Sequence, residues 1–280
     1  MFWHTTRFCI DLSLPKVMGI VNVTPDSFSD GGQHADVAGA LAHCERLIKE
    51  GVDILDIGGE STRPGADILH PDEEWRRLQP VLTQAITLGV PVSVDTCKAG
   101  LMQRALDLGV DIINDVHALT GPGCEQVVAA HTACGICLMH MRGDPATMQS
   151  QTDYDDVVLE VADHLQARLA RMQALGVADE RITLDPGIGF GKTPQQNLDL
   201  LRRQGELLAL GRPLLVGWSR KSTLGAVTGR PVGERLPASL AAALASVVNG
   251  ARVVRVHDVA ATVDALTVWQ AAGGALTSTR

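Results

Sequence analysis

The stretch from Pro91 to Val116 reads PVSVDTCKAGLMQRALDLGVDIINDV and contains two short apolar runs around an amphipathic segment. The two runs, Pro91–Asp95 and Asp111–Val116, are almost continuously apolar and rich in β-branched residues. Such runs are typical of parallel strands that are buried on both faces. The segment between them ends at Gly109, and glycine is a frequent helix stop. The stretch therefore predicts a strand–helix–strand unit.

The same alternation repeats along most of the chain. Eight apolar runs can be identified, at Val17–Val23, Asp53–Gly58, Pro91–Asp95, Asp111–Val116, Gly135–His140, Ile182–Asp185, Pro213–Trp218 and Arg252–His257. Helical patterns lie between the runs, and several of them end on glycine. Eight β/α repeats over roughly 250 residues predict an α/β fold of the (β/α)8 TIM barrel type. A doubly wound open sheet is the alternative.

The chain outside these repeats is short. The segment FWHTTRFCIDLSLP at 2–15 precedes the first run and predicts a short N-terminal β-hairpin that covers the bottom of the barrel. No low-complexity linker interrupts the repeats, so residues 1–280 are expected to form a single domain.

Composition excludes some classes of function. The net charge is −8, which argues against a general nucleic-acid binder because Lys and Arg are not in surplus. We find no secretory signal pattern and no run of about 18 apolar residues that would span a membrane. The six cysteines are therefore expected to be reduced, in a cytoplasmic protein. Cys134 and Cys137 form a lone CxxC without a second pair, which does not indicate a zinc site.

Polar residues stand at the ends of nearly all the runs or directly after them. They are Asn22, Thr62, Arg63, Asp95, Asn114, Asp115, Asp185, Arg220, Lys221, Arg255 and His257. In a TIM barrel the catalytic groups lie at the C-terminal ends of the strands and in the loops that follow. A single strand-end Asp is commonly a helix cap, but so many polar strand ends together indicate one shared pocket.

These residues suit two kinds of ligand. A carboxylate accepts two parallel N–H bonds, an amide donates and accepts, and Lys donates to a carbonyl, so one group fits a flat nitrogen heterocycle. That group is Asp95, Asn114, Asp185 and Lys221. The other group fits an oxyanion such as pyrophosphate. Its members are Asn22, Arg63, Arg255 and His257.

In these residues the chain resembles the dihydropteroate synthases. The resemblance runs from about Val17 to Ala265 through the ordered segments MGIVNVTPDSFSDGG, DILDIGGESTRPGA, SVDT, IINDV, LMHMRGDP, LDPGIGFGKT, GWSRKS and RVHDV. It implies a transferase of folate biosynthesis that joins 6-hydroxymethyl-7,8-dihydropterin pyrophosphate to p-aminobenzoate, giving 7,8-dihydropteroate and pyrophosphate. It also implies a sulfonamide target, Mg²⁺ as cofactor and a homodimer.

The resemblance further implies a role for each site residue. Asn22 would be the protein ligand of Mg²⁺. The contacts of the pterin pyrophosphate would be Thr62, Asp95, Asn114, Met139, Asp185, Lys221, Arg255 and His257. The contacts of p-aminobenzoate would be Phe28, Thr62, Arg63, Pro64, Phe190, Lys221 and Ser222. Catalytic roles would fall to Arg63, Asp95, Lys221 and Arg255.

The implied reaction needs a stabilised leaving group. Mg²⁺ and cationic side chains would neutralise charge on the departing pyrophosphate. The dihydropterin ring can delocalise a cation at the methylene, which favours departure before attack by the arylamine, and Asp95 is expected to stabilise that cation. The loop at 24–32 is expected to act as a mobile cover, hinged at Gly31 and Gly32, that closes Phe28 over the p-aminobenzoate.

Two other functions are possible for such a sequence. A pterin-binding methyltransferase domain would share the barrel and the Asp–Asn–Asp pattern, but it has no use for pyrophosphate, so STRPGA, SRKS and RVHD argue against it. A non-catalytic pterin-binding paralogue is expected to have lost Asn22, Arg63 or Lys221, and all three are present.

Overall fold

The computed structural model describes residues 1–23, 33–60 and 69–275, and for residues 33–36 it describes only the backbone. The strands are β1 Phe2–His4, β2 Cys9–Asp11, β3 Lys16–Asn22, β4 Ile54–Gly58, β5 Val92–Asp95, β6 Ile112–Asp115, β7 Gly135–Met139, β8 Ile182–Asp185, β9 Leu214–Val216 and β10 Ala251–Val256. The helices are α1 Gln33–Lys49, α2 Pro71–Ala85, α3 Ala99–Leu108, α4 Cys124–Ala130, α5 Val157–Ala174, α6 Pro194–Arg203, α7 Ser222–Thr228, α8 Leu236–Val248 and α9 Val259–Ala271.

Strands β3 to β10 form a closed parallel barrel in the order of the chain, and β10 pairs with β3 to complete the ring. The eight barrel strands fall on the eight apolar runs of the sequence, and the helices pack around them. The predicted TIM barrel is therefore confirmed.

Side chains along each barrel strand alternate between the helix layer and the interior. In β4, Leu55 and Ile57 pack with the surrounding helices, whereas Ile54 packs with the apolar residues at the bottom of the interior. Asp56 and Gly58 follow Ile54 on the inward face. The barrel interior thus changes from apolar to polar in the direction of the strands.

The N-terminal hairpin of β1 and β2 closes the bottom of the barrel. The Trp3 side chain is fully buried, and its Nε1–H donates to the carbonyl of Arg181 at 2.9 Å. Trp3, Ile10 and Leu12 pack against inward-facing residues such as Met18. The predicted position of the hairpin is confirmed.

The ends of the helices follow glycine signals with one difference. Helix α3 ends at Leu108, and Gly109 adopts a left-handed cap with φ 97°. Helix α2 ends at Ala85, earlier than the stop at Gly89 that the sequence suggests. The chain tightens there, because the N–H of Leu88 donates to the carbonyl of Ala85 three residues back. Among the described helices, none is both long and apolar enough to cross a membrane.

Candidate active site

A charged network lies at the mouth of the barrel, where the carboxyl ends of the strands meet. Arg255 of β10 donates from Nε to Asp56 of β4 at 2.6 Å and from Nη2 to Asp95 of β5 at 2.8 Å. The Nδ2 group of Asn114 on β6 donates to the Asp56 carboxylate at 3.2 Å. Four barrel strands therefore contribute to one connected set of hydrogen bonds.

The network changes the proton affinity of Asp95 and of Arg255. Burial raises the pKa of Asp95 to about 7, with Arg255 opposing the shift and the negative charge of Asp56 adding to it. Burial acts to lower the pKa of Arg255, but the two carboxylates outweigh it and raise that pKa further above its ordinary value. At neutral pH the guanidinium is charged, whereas the Asp95 carboxyl is close to its pKa.

Asp185 at the end of β8 stands beside this network with an unused acceptor. Its side chain is 7% exposed, and Oδ1 accepts the N–H of Gly187 at 2.7 Å. Among the residues that the structure describes, none donates to Oδ2. Gly187 is required at this turn, because its φ is 67° and a Cβ there would lie 1.8 Å from the carbonyl oxygen of His140. Burial raises the pKa of Asp185.

Lys221 and Phe190 form a second contact at the rim. Lys221 is the residue before α7, and its Nζ lies 4.1 Å from the centroid of the Phe190 ring, within cation–π range. Burial and the nearby Arg255 lower the pKa of Lys221 to about 8, against the opposing charges of Asp185 and Asp95. In the described part of the chain its ammonium donates no hydrogen bond, so three N–H groups are available to a ligand.

The loop that carries Phe190 is braced from below by Lys192. This side chain is 3% exposed, and its Nζ donates to the carbonyls of Gly187 at 2.9 Å and Phe190 at 3.0 Å. The same Nζ lies 3.0 Å from Nδ1 of His140. Burial lowers the pKa of Lys192 to about 7. Although GIGFGKT looks like a phosphate loop, its lysine supports the loop from inside the protein.

A cleft of about 520 Å³ adjoins the barrel mouth on the side of α1 and α9. Asn22, Arg220 and His257 line it, whereas the Arg255 network lies outside its lining. Arg220 has φ 60° and pairs with Asp258, with 2.5 Å between Nη2 and Oδ1. Two polar groups at strand ends and one arginine thus face a space next to the charged network.

Ser219 positions the ring of His257 in this cleft. The Ser219 Oγ accepts the backbone N–H of His257 at 3.2 Å, and it lies 2.9 Å from Nδ1 of the same histidine. The hydroxyl can donate to Nδ1 in one tautomer of the ring and accept from it in the other. Burial, Arg220 and Arg255 lower the pKa of His257 to about 4, so at neutral pH the uncharged ring presents one N–H donor.

Asn22 is half-buried at the end of β3. Over the described residues there is no group of three or more His, Cys, Asp or Glu that could hold a metal ion. The side-chain carbonyl of Asn22 is a hard oxygen donor of the kind that Mg²⁺ prefers. It fits a cation that takes most of its ligands from a bound phosphate and from water.

The remaining residues predicted from the sequence divide into two sets. Met139 is buried at the end of β7, opposite Asp185 in the strand register, and Ser222 is the exposed first residue of α7. Four predicted residues, and the predicted cover loop at 24–32, lie outside the described residues. These four are Phe28, Thr62, Arg63 and Pro64.

Two residues at the mouth were missed by sequence reasoning. Asp56 gives a signal in hindsight, because it is a charged residue inside the buried strand ILDIG. A buried carboxylate needs partners, so its presence there indicates a cation elsewhere in the barrel. Ser219 gives no such signal, since its role depends on the approach of His257 from another strand.

Comparison with known proteins relates this site to one family. A family model described as pterin binding enzyme matches residues 18–257 of the chain. The dihydropteroate synthase of Neisseria meningitidis serogroup B is 57% identical over 277 residues, which cover 97% of each protein.

Solved structures give the same result. The dihydropteroate synthase of Xanthomonas albilineans with 4-aminobenzoic acid superposes with a TM-score of 0.89 and 48% identity, over 95% of each chain. The dihydropteroate synthase of Yersinia pestis in a sulfonamide drug complex has a TM-score of 0.92 and 42% identity, over 98% of this chain and 100% of that chain.

Proposed function

The chain belongs to the pterin binding enzyme family, and on that premise we propose that it catalyses the dihydropteroate synthase reaction. It is a transferase that condenses 6-hydroxymethyl-7,8-dihydropterin pyrophosphate with p-aminobenzoate to 7,8-dihydropteroate and pyrophosphate, in folate biosynthesis. The observation that carries the mechanism is the network of Arg255 with two carboxylates, beside the open acceptor of Asp185.

The site offers hydrogen-bond donors and acceptors that match those along the edges of the pterin ring. The free oxygen of Asp185, with its partner oxygen, accepts the parallel N–H groups of the amino-pyrimidine edge. The Lys221 ammonium donates to the ring carbonyl, and the Asn114 amide hydrogen-bonds to another edge of the ring. Met139 supplies an apolar wall at the end of β7. The face of the Arg255 guanidinium is suited to stack on the flat ring.

The network also favours positive charge on the substrate. Asp56 and Asp95 share the single guanidinium of Arg255, so their combined charge is not fully neutralised. A cation that develops at the pterin methylene as pyrophosphate departs is stabilised by this excess, because fixed charges in a water-poor site act strongly. The arylamine then attacks the methylene. Asp95 is the carboxylate that faces the ligand in this proposal.

The leaving pyrophosphate occupies the cleft beside the mouth. His257 donates a ring N–H, Arg220 supplies positive charge, and the side-chain oxygen of Asn22 would hold Mg²⁺. When bound, Mg²⁺ supplies charge neutralisation for the departing oxygens. The uncharged state of His257 suits donation to an anion without the cost of a buried cation.

The p-aminobenzoate lies on the side of Phe190 and α7. Phe190 packs against its ring, and Ser222 with the first turn of α7 binds its carboxylate. Lys221 lies between the two substrate positions and contacts both. Thr62, Arg63, Pro64 and Phe28 are proposed to complete this side. Sulfonamides, which are analogues of p-aminobenzoate, are expected to compete here.

Assembly and location follow as further parts of the proposal. Residues 1–280 form one catalytic domain that pairs as a homodimer, through exposed apolar side chains near α7 and α8, including Val227 (60% exposed) and Val232 (58% exposed). Sedimentation velocity would detect the dimer, and Val232→Glu would shift it toward monomer. All six cysteines are free thiols, which suits a cytoplasmic enzyme.

A turnover assay tests the function. We expect the purified protein with both substrates and Mg²⁺ to form dihydropteroate and pyrophosphate in equal amounts, and less of both with a chelator. Asp185→Asn is expected to lose most of the rate, whereas Asp111→Asn, at the other end of the barrel, keeps it. A folded wild-type protein that binds the pterin but forms no dihydropteroate would be a non-catalytic paralogue and would contradict the proposal.

A further inference from the structure

Asp56 lies beneath the proposed ligand site and is too buried to contact the ligand itself. Its side chain has no exposed area, and it belongs to the middle of β4 rather than to a strand end. Gly58 is the next inward residue of β4 and has no side chain above Asp56. A Cβ at Gly58 would lie 3.4 Å from Cβ of Asp95. The gap above Asp56 admits the Arg255 guanidinium instead of a ligand.

The first effect of Asp56 is on Arg255. Its Oδ2 accepts the Nε–H at 2.6 Å, while Asp95 accepts from Nη2 at 2.8 Å. One edge of the guanidinium is thereby taken up by carboxylates. In the described part of the chain Nη1 makes no hydrogen bond, so this nitrogen and the flat face of the guanidinium are left for a ligand.

The second effect is on Asn114. Its Nδ2 donates to both oxygens of Asp56, at 3.2 and 3.4 Å. An ionised carboxylate only accepts hydrogen bonds, so it excludes the flipped amide, which would set two acceptors against each other. The Oδ1 of Asn114 accepts no hydrogen bond from described residues and is the atom left for a ligand N–H.

We propose that Asp56 is a positioning residue for the pterin pyrophosphate. It does not contact the substrate. By its hydrogen bonds it determines which edge of the Arg255 guanidinium and which amide atom of Asn114 face the substrate. The proposal rests on the function given above. It explains why the barrel carries a second carboxylate under Arg255, although Asp95 alone would neutralise that cation.

The test uses Asp56→Asn. An amide oxygen in the place of Oδ2 can still accept from Arg255 and Asn114, but the NH₂ group then takes the place of Oδ1. There it would lie 3.4 Å from Nδ2 of Asn114, with two donors facing each other, so the variant holds the Asn114 amide less firmly. We expect kcat/KM for the pterin pyrophosphate to fall at least about tenfold, while KM for p-aminobenzoate changes by less than about threefold.

The matched control is Asp111→Asn. Asp111 is also fully buried, accepts from an arginine side chain and has a backbone N–H as a further donor, but it lies at the bottom of the barrel. Because it is remote from the mouth, we expect its variant to lose stability and to keep both kinetic parameters within about threefold. Equal losses in the two variants would mean that Asp56 is merely structural.

A second measurement does not depend on turnover. In the ligand-free wild type, the Nε–H signal of Arg255 in a ¹H–¹⁵N NMR spectrum should exchange slowly with water because it is buried and bonded to Asp56. Its assignment comes from its loss in Arg255→Lys. The exchange should accelerate at least about tenfold in Asp56→Asn, because a neutral amide oxygen accepts the Nε–H more weakly than a carboxylate does, and it should stay unchanged in Asp111→Asn.

The two readouts separate the outcomes. Rapid exchange in the wild type, or kinetics of Asp56→Asn within threefold of wild type, would overturn the inference. If Asp56→Asn does not fold, the wild-type exchange rate decides alone. A protein with slow exchange but no turnover would keep the geometry and refute the proposed function instead.

Discussion

The two ends of the barrel both bury charged groups, but they treat them differently. At the bottom, Asp111 accepts from the Arg7 Nε at 3.1 Å and from the Val92 N–H at 2.8 Å, and Arg181 donates to two backbone carbonyls. At the mouth, Asp185 receives a single N–H from within the described chain, and Lys221 donates to none of its oxygens. The two ends carry similar residue types, but the hydrogen-bonding groups at the bottom have more of their partners within the described chain than those at the mouth.

This difference separates stability from function. A buried polar group without its partners costs free energy, so the bottom of the barrel, where the partners are present, contributes to the stability of the fold. The open acceptors and donors of the mouth are destabilising until a ligand completes them. Substitutions at the two ends should therefore have opposite consequences for unfolding and for ligand binding.

The largest effect is expected for Arg255→Ala. It leaves Asp56 and Asp95 buried without their cation and removes the face and the Nη1 donor that meet the pterin pyrophosphate. We expect kcat/KM for the pterin pyrophosphate to fall roughly a thousandfold, which corresponds to about 4 kcal/mol. Pyrophosphate binding should suffer more than p-aminobenzoate binding. Steady-state kinetics with product inhibition by pyrophosphate measure both.

Arg7→Ala removes the corresponding arginine from Asp111 at the other end. It should leave the affinities for both substrates unchanged. Equal losses of pyrophosphate and p-aminobenzoate affinity in Arg255→Ala would count against the role given to Arg255.

Asp185→Asn should have the next largest effect. It replaces one charged acceptor of the pterin edge with a donor, and we expect pterin affinity to fall by about 2–3 kcal/mol, roughly 30- to 150-fold, in calorimetry. The melting temperature should not decrease. Because burial raises the pKa of Asp185, its ionised form is disfavoured in the folded state, and removing that charge removes a cost above this pKa. Unchanged pterin affinity would disprove the role.

Asp111→Asn is the converse case. It breaks a buried ion pair whose arginine is partly exposed, so we expect a loss of about 2 kcal/mol in the free energy of unfolding. For a chain of this size that corresponds to a fall of about 4–8 °C in the melting temperature, measured by calorimetry. Pterin affinity should not change. If it falls as far as in Asp185→Asn, the two ends are not independent.

The smallest effect is a pH dependence of the mouth. In the free enzyme kcat/KM should rise as Asp95 loses its proton with a pKa of about 7, and fall as Lys221 loses its proton with a pKa of about 8. On the acid limb below the first pKa and on the alkaline limb above the second, kcat/KM should change about tenfold per pH unit. Lys221→Arg should remove the alkaline fall, since arginine stays charged. A flat profile between about pH 6 and 9 would contradict both assignments.

Much of this fold can be predicted from the sequence because its elements are specified locally. A run such as VSVD of β5 is apolar enough to be buried on both faces, and Gly109 stops α3 by its backbone conformation. The end of α2 was not predictable in the same way. It ends before its glycine because the chain makes a tight turn at Leu88 to enter β5.

The residues of the site likewise divide into those that the sequence predicts and those that it does not. Asp95, Asn114 and Asp185 can be predicted because strand ends of a parallel barrel meet at one mouth. Asp56 is visible in the sequence as a charge inside a buried strand, but its partner Arg255 is not, because that residue comes from a distant part of the chain. Ser219 gives no signal at all, since its role depends on His257 of another strand. The meaning of Lys192 also required the structure, because its three partners are brought together only by the folded loop.

The sequence by itself determined the eight strands, their order and the polar character of their C-terminal ends, because hydrophobic patterning and turn residues act over short distances. Only the tertiary structure decided which charges meet. Arg255 and Asp56 are 199 residues apart, and they are joined because the last strand pairs with the first barrel strand, which leaves only β3 between β10 and β4. Differences of a few tenths of an ångström in the donor–acceptor distance decide whether such a hydrogen bond forms. Barrel closure and packing set these distances, whereas the local sequence does not.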